Sequence, residues 1–411
     1  MKSPQVRVLK LILVALAAVL MLPVIASAGS KPVRVIVVFD NAAVHAAAMQ
    51  HIERLGGAKI KDLPMVDGAA FYLPSKAAEH AVAGISGVKR VEPDLVVQAL
   101  GKPAPRQPAQ VVPWGVLQVK ANLVWESYTA ELVWASYPST TVKVAVVDTG
   151  IDTKHPDLTG NLKGGMSAVS YTSSYNDDNG HGSHVAGIIA AVNNTIGVVG
   201  VAPAADLYAV KVLDRNGSGY LSDIIVGLQW VVTNHIKVVN MSLGTSTYSL
   251  LFNSVVQQTI ASGVVVVAAA GNSGPGANTV MYPAKFAGVI AVSATDKSDN
   301  IASFSSRGTE VDVAAPGVSV FSTYKNQSYA TLSGTSMASP HVAGVAALVL
   351  SSPIAGVGWT DDLNGDGKWE PNEVEWRLER TAQDLGATGF DTSYGNGLVN
   401  AYEAVVAPVA P

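Results

Sequence analysis

The sequence predicts a mostly parallel α/β sheet with helices on both faces, preceded by a small α+β unit. Three observations carry this. Apolar, β-branched runs without polar alternation recur through the second half of the chain, the pattern of strands buried on both faces. Helically spaced segments separate those runs, the alternation of a doubly wound sheet. Of the 411 residues 48% are hydrophobic and 14% charged, enough apolar material for a large core and too little charge for a disordered chain.

Lys2, Arg7 and Lys10 precede an apolar run over 11–25 that closes on Ala26-Ser27-Ala28. A positive start, a short apolar stretch and a small-residue site read as a secretory signal peptide over 1–28. A membrane anchor would need a longer run. The α+β unit follows at 29–100, with strands at 34–39, 58–63, 69–73 and 89–97 and helices at 42–55 and 77–85. This βαββαβ order is the ferredoxin-like split pattern. Pro103, Pro105 and Pro108 mark 101–110 as an extended linker.

Residues 111–411 hold the parallel sheet. Strands are expected at 142–147, 207–213, 238–243, 264–270 and 289–294, and helices at 182–191, 221–233, 254–261 and 336–350. Ahead of them Leu123-Val124-Trp125-Glu126-Ser127-Tyr128 recurs as Leu132-Val133-Trp134-Ala135-Ser136-Tyr137. This small duplication lengthens the entry to the first strand and is expected to form a surface helix or turn.

Charge and cysteine count exclude several functions. The net charge is −4, so no basic footprint for nucleic acid exists. The first 108 residues are basic, with 13 Lys and Arg against 7 Asp and Glu, and the rest is acidic. That split suits either a front segment that docks electrostatically or the cations that a signal peptide needs anyway. Cysteine is absent, which excludes thiol catalysis, cysteine-held metals and disulfide staples.

Four segments place reactive side chains beside glycines at element ends. Val146-Val147-Asp148-Thr149-Gly150 ends a buried strand on an acid. Asn179-Gly180-His181-Gly182-Ser183-His184 opens a helix with an imidazole. Gly334-Thr335-Ser336-Met337-Ala338 opens another with a hydroxyl, and Ala270-Gly271-Asn272-Ser273-Gly274 follows a strand with an amide. Ligands of such sheets gather outside the carboxyl ends of the strands. A serine hydroxyl becomes a useful nucleophile when an imidazole accepts its proton and a carboxylate holds that imidazole. An amide or a helix N-terminus can meet the oxyanion that forms.

The order Asp, His, Ser and the wording of all four segments resemble the subtilisin family of serine endopeptidases, and residues 31–98 resemble that family's inhibitory propeptide. The resemblance implies that Asp148 orients, His181 acts as general base and then acid, Ser336 attacks and Asn272 donates to the oxyanion. It leaves His155, His184 and His341 as structural residues. Ser242-Leu243-Gly244 and Gly217-Ser218-Gly219 are similar to the two edges that hold an extended peptide. Met281 falls where the family floors its main specificity pocket, which implies small or medium apolar side chains there. It also implies a soluble, secreted monomer that acts on polypeptides, made as a precursor whose own propeptide assists folding and then inhibits. The precursor would be cut near Leu100 and trimmed afterwards toward Gln110.

Calcium is the implied cofactor. By resemblance Gln110, Asp157, the Asn194 side chain and the carbonyls of Val192, Ile196 and Val198 form one all-oxygen shell. A second candidate comes from the residues themselves. Asp362-Leu363-Asn364-Gly365-Asp366-Gly367-Lys368-Trp369-Glu370-Pro371-Asn372-Glu373 matches D-x-[DN]-x-[DN]-G-x₅-E, with candidates at Asp362, Asn364, Asp366, Lys368, Glu370 and Glu373. Ordinary subtilisins lack this insertion, and Pro371 departs from a regular EF-hand. A catalytically silent homologue and a lipase are the rival readings. The four intact residues argue against the first, and Gly-Thr-Ser-Met in place of G-x-S-x-G against the second.

Overall fold

The computed structural model describes residues 31–99, 102–105, 109–130, 142–352, 354 and 361–405. The expected signal segment, Leu100 and the second copy of the repeat lie outside the described residues.

The front unit comprises β1 (Val33–Phe39), α1 (Ala42–Arg54), β2 (Ala58–Leu63), β3 (Gly68–Leu73), α2 (Lys76–Ala83) and β4 (Val88–Pro93). Its strands form one antiparallel sheet ordered β2-β3-β1-β4. The two-residue period of a strand sorts the side chains of β1. Val35, Val37 and Phe39 join Ile52, Phe71 and Leu73 in the unit's own core, whereas Ile36 and Val38 pack into the core of the larger domain.

The single strand expected over 89–97 is two strands. β4 ends at Pro93; Asp94 N–H still bonds the Arg34 carbonyl at 3.0 Å, but its carboxylate is drawn to the N–H and hydroxyl of Ser222, which leads the chain off the sheet. The chain turns at Asp94 and Leu95 and resumes as β5 (Val96–Ala99), which belongs to a different sheet. The expected linker is also partly ordered by pairing: β6 (Lys102–Pro105) runs antiparallel to a strand at 328–333. Prolines are tolerated there because β6 lies at a sheet edge.

The larger domain begins with α3 (Trp114–Gln118) and α4 (Ala121–Ala130). The first copy of the repeat, expected on the surface, lies in α4, and its described side chains are divided between surface and core, Leu123 being exposed and Val124 buried. Ala121 and Val124 are buried, and the Trp125 indole donates to the Val201 carbonyl at 3.1 Å. Then follow β7 (Lys143–Asp148), β8 (Leu162–Ser167), α5 (His181–Ala190), β9 (Asp206–Lys211), β10 (Ser218–Tyr220), α6 (Leu221–Thr233), β11 (Val238–Met241), β12 (Leu243–Gly244), α7 (Leu250–Ala261), β13 (Val265–Ala269) and β14 (Val289–Thr295). The chain ends through β15 (Val313–Pro316), β16 (Val320–Tyr324), β17 (Ser328–Ser333), α8 (Thr335–Ser351), α9 (Pro371–Arg380) and α10 (Ala401–Val405).

Seven of these strands form a wholly parallel sheet ordered β15-β14-β13-β11-β7-β9-β8. One core lies between it and α5, α8 and α9, and a second between it and α6 and α7. Among the described residues no helix is long and apolar enough to cross a membrane.

Candidate active site

Asp148 is the last residue of β7, and Asn272 lies three residues beyond β13, with β11 between those two strands. Their carboxyl ends open on the same side, where α5 and α8 begin with His181 and Thr335-Ser336. Asp148, His181 and Ser336 are 0%, 3% and 0% exposed. His181 Nδ1 lies 2.8 and 2.9 Å from the two Asp148 carboxylate oxygens, so a proton on Nδ1 is held and Nε2 is the basic nitrogen. The close approach of α5 to β7 requires a glycine. A Cβ on Gly182 would lie 2.2 Å from the Gly150 carbonyl oxygen.

A second layer fixes this pair, and its residues carry no periodic signal in the sequence. The Thr149 hydroxyl accepts from Gly182 N–H and donates to Asp177, both at 2.9 Å. Asp177 also accepts from the backbone of Asn179, Gly180 and Ser183 and from the Ser183 hydroxyl. Burial pushes its carboxyl up, and these donors oppose that shift. Three further histidines, those expected to be structural, are tied to carbonyls: His184 Nε2 to Val320 and Ala330, His155 Nε2 to Ser328, and His341 Nδ1 to Met337. Burial lowers His184 to about 3 and His341 to about 4, so both are neutral in ordinary solution.

Ser336 sits in the first turn of α8. Its hydroxyl donates to the Ser242 carbonyl at 3.2 Å, and the Ser242 hydroxyl donates back to the Ser336 carbonyl at 2.9 Å. Asn272 is oriented by Thr335, whose N–H and hydroxyl both bond its Oδ1 at 2.9 Å. That leaves Nδ2 as the end of the amide available to the cleft.

The cleft holds part of the same chain. β5 lies antiparallel between β10 and β12, with Ser218 opposite Gln98, Gly219 opposite Val97 and Tyr220 opposite Val96 on one side. Leu243 opposite Ala99 and Gly244 opposite Gln98 complete the other. Of the expected edge residues, Ser218, Gly219, Leu243 and Gly244 therefore pair with a peptide strand. Gly217 does not; with φ +75° it forms the turn before β10, its N–H bonded to Asp214. Ser242 precedes β12 and faces Ser336 instead, and Tyr220 is an edge residue that the motif did not include. Met281 bonds Ala270 through its N–H, and a Cβ on Gly271 would lie 2.8 Å from its Sδ.

The front unit is clamped beside this cleft by charge. Asp94 accepts from the N–H and hydroxyl of Ser222, at 2.7 and 2.5 Å, and from Arg34 Nε at 2.6 Å. It thereby caps the N-terminus of α6, where Tyr220 supplies no side-chain cap. Lys61 and Arg34 converge on Asp223 in the first turn of α6, Lys61 as a direct ion pair and Arg34 at 3.9 Å. Glu92 accepts from Ser249, the cap of α7, at 2.6 Å.

A family model described as the subtilase family matches residues 139–397. The chain belongs to the subtilase family. This subtilase is 45% identical over 357 residues to Subtilisin E of Bacillus subtilis (strain 168), covering 86% of this chain and 84% of that protein. It is 48% identical over 300 residues to Subtilisin of Bacillus pumilus, covering 72% of this chain and 99% of that protein. With Thermostable alkaline protease of Halalkalibacterium halodurans it shares 44% identity over 325 residues, 79% of this chain and 82% of that protein. The subtilase is a serine endopeptidase.

Two loops of the subtilase suit a calcium ion. Asp157 is fully buried, and the hydrogen bonds to its carboxylate come from neutral donors: Asn194 Nδ2 at 2.8 Å, Val198 N–H at 3.0 Å and the Tyr329 hydroxyl at 2.8 Å. A buried anion so surrounded fits a cation. The loop carrying Val192, Asn194, Ile196 and Val198 is drawn onto it, with Val192 N–H on the Asp157 carbonyl. Gln110 reaches the same loop, its amide 3.2 Å from Asn193 Oδ1 and against the Asn194 backbone.

In the insertion, Asp362 accepts from the backbone of Gly365, Asp366 and Gly367, Asn364 from Asp366, and Asp366 from Lys368. Glu373 is fully buried and folds back onto Leu363 N–H. Its acid-rich, all-oxygen donor set also fits calcium. Glu370 instead caps α9 in a reciprocal box with Glu373. Pro371 is then the first residue of that helix, a position where its missing N–H is harmless.

Proposed function

We propose that this endopeptidase works through Asp148, His181 and Ser336 and is made as a self-inhibited precursor. His181 Nε2 takes the Ser336 proton as Oγ attacks the scissile carbonyl. Asp148 steadies the imidazolium, and Asn272 Nδ2 with the N-terminal amides of α8 meets the oxyanion. His181 then protonates the leaving amine, and water repeats the sequence on the acyl-enzyme. The observation that carries this reading is β5: a peptide strand of the chain itself lies between β10 and β12, in the place an extended substrate would take.

The front unit is the propeptide, cut from the peptidase near Leu100. It aids folding by capping α6 and by covering apolar surface with Ile36 and Val38. The signal peptide directs secretion, and the mature monomer keeps no membrane or nucleic-acid partner. Met281, packed against Gly271, would floor the main pocket and favour small or medium apolar residues at the cleavage site. Calcium would be held by Asp157, Asn194, Gln110 and the loop carbonyls, and by Asp362, Asn364, Asp366, Glu373 and the Lys368 carbonyl. There it would stabilise the fold in place of disulfides.

The test is intact mass of the 29–411 precursor, refolded with calcium, beside its Ser336→Ala variant. Scission near 100–110 in the first and none in the second is expected. If both split alike, or both stay whole, the reading fails.

A further inference from the structure

β11 is an apolar run broken by one amide, Val238-Val239-Asn240-Met241, in the middle of the seven-stranded sheet. Asn240 is fully buried. Its Oδ1 accepts from the Ser339 hydroxyl at 2.7 Å, and its Nδ2 donates to Ser242 Oγ at 2.9 Å. Ser242 Oγ, having accepted there, donates its own proton to the Ser336 carbonyl at 2.9 Å. Every donor is thus directed: Ser339 to Asn240, Asn240 to Ser242, Ser242 to Ser336. All four residues are 0% exposed, so no solvent competes for these bonds.

We infer that Asn240 is a positioning residue for Ser336. Resting on the reading of Ser336 as nucleophile, the inference adds what holds it. The relay ties the first turn of α8, at Ser336 and Ser339, to the residue that precedes the substrate edge at Leu243 and Gly244. The Ser242 peptide is shared: its carbonyl takes the Ser336 hydroxyl and its side chain takes the Ser336 carbonyl. The direction of Ser336 Oγ is therefore set through Ser242, and Asn240 fixes that residue. An amide accepts at one end and donates at the other over this length, in any protonation state of its neighbours. A carboxylate at 240 would accept at both ends and draw the Ser242 hydroxyl away from Ser336.

Because peptide pairing on β10 and β12 survives loss of the relay, the effect belongs in kcat and not in KM. In the full processed enzyme, Asn240→Ala and Asn240→Asp are expected to lower kcat about tenfold or more, with KM within about twofold. The rate of Ser336 modification by phenylmethanesulfonyl fluoride should fall in parallel. Ser242→Ala should do the same and Ser242→Thr should restore most of the rate. Thr259→Ala is the control, removing a buried hydroxyl that bonds Val255 within α7. It should lower Tm and leave kcat alone. If an Asn240 variant does not fold, Ser339→Ala carries the same measurement. The inference is overturned if kcat and the sulfonylation rate are unchanged, or if they fall only as far as in Thr259→Ala. A Ser336→Ala chain that still hydrolyses peptide overturns this inference and the proposed mechanism together. An inert Ser336→Ala with a normal Asn240→Ala overturns this inference alone.

Discussion

The side-chain oxygen of Asn272 accepts two hydrogen bonds from one residue, the N–H and the hydroxyl of Thr335, both at 2.9 Å. Thr335 immediately precedes Ser336, so the proposed nucleophile and the proposed oxyanion donor are aligned by adjacent residues of one helical turn. The same hydroxyl also receives Gly271 N–H at 3.1 Å, which ties the backbone before Asn272 to α8. Thr335→Val keeps the shape and the N–H bond but removes the hydroxyl. It should reduce kcat by a few-fold to about tenfold, the worth of the lost Asn272 bond at about 0.5–1.5 kcal/mol, with little change in KM, while the second lost bond, from Gly271 N–H, lowers Tm. Steady-state kinetics on a peptide substrate checks this.

Retention of the proposed propeptide should depend on Asp223. The carboxylate lies between Lys61 and Arg34 in a largely buried interface, so removing one partner strands charge away from water. After self-cleavage, Lys61→Met should weaken the hold on the propeptide by at least about 30-fold, the lower end of about 2–5 kcal/mol for such truncations. Size-exclusion of the cleaved complex reads this as loss of co-elution. The double variant Lys61→Met with Asp223→Leu should recover part of the loss if the two are directly coupled.

The two loops proposed to hold calcium should titrate separately. Asp157→Asn is expected to remove one bound calcium and Asp362→Asn another, each counted by calorimetry on the metal alone. With calcium about 100-fold above Kd a site contributes roughly 2.7 kcal/mol, so each variant should lose roughly 5–10 °C of calcium-dependent Tm. A chelator added to the parent chain should reproduce the sum.

Alkaline solution should loosen the contact between the Asp312 segment and α9. Asp312 is pushed up to about 8 by burial and by Glu375 and Glu379, against a hydrogen bond from Ala291 N–H. The folded state therefore binds a proton that the unfolded chain releases at about 4. Its contribution is complete below about 4 and is lost as pH rises toward 8. Asp312→Asn should flatten the fall in Tm between pH 5 and 9. An unchanged slope would show that other groups set it.

Much of this molecule can be read in its sequence because the residues of the proposed triad sit at element ends. Asp148, His181 and Ser336 each stand where a run of one periodicity meets glycines, and the valine-rich runs of β7, β11 and β13 have no other buried home. The supporting residues are a different matter. Thr149, Asp177, Asn240 and Thr335 act through bonds to partners far away in the chain, and one polar residue within an apolar run carries no pattern. Segmentation failed where tertiary contacts override local preference. The strand expected over 89–97 breaks because Asp94 is needed at α6, and the proline-rich 102–105 pairs because an edge strand tolerates missing donors. β16 and β17 are rich in Ser and Thr and lack the apolar signature of the central sheet.

In the proposed precursor, the strand between β10 and β12 also sets how inhibition responds to dilution. While the chain is continuous, each cleft carries one equivalent of its own blocker, tethered at an effective concentration of about millimolar or above. Dilution cannot free it, and neither can a competing peptide at ordinary levels. A single cut turns the same contact into an ordinary two-body equilibrium. From then on the free clefts increase as the fragment is diluted or digested, so the onset of activity depends on the volume into which the protein is released.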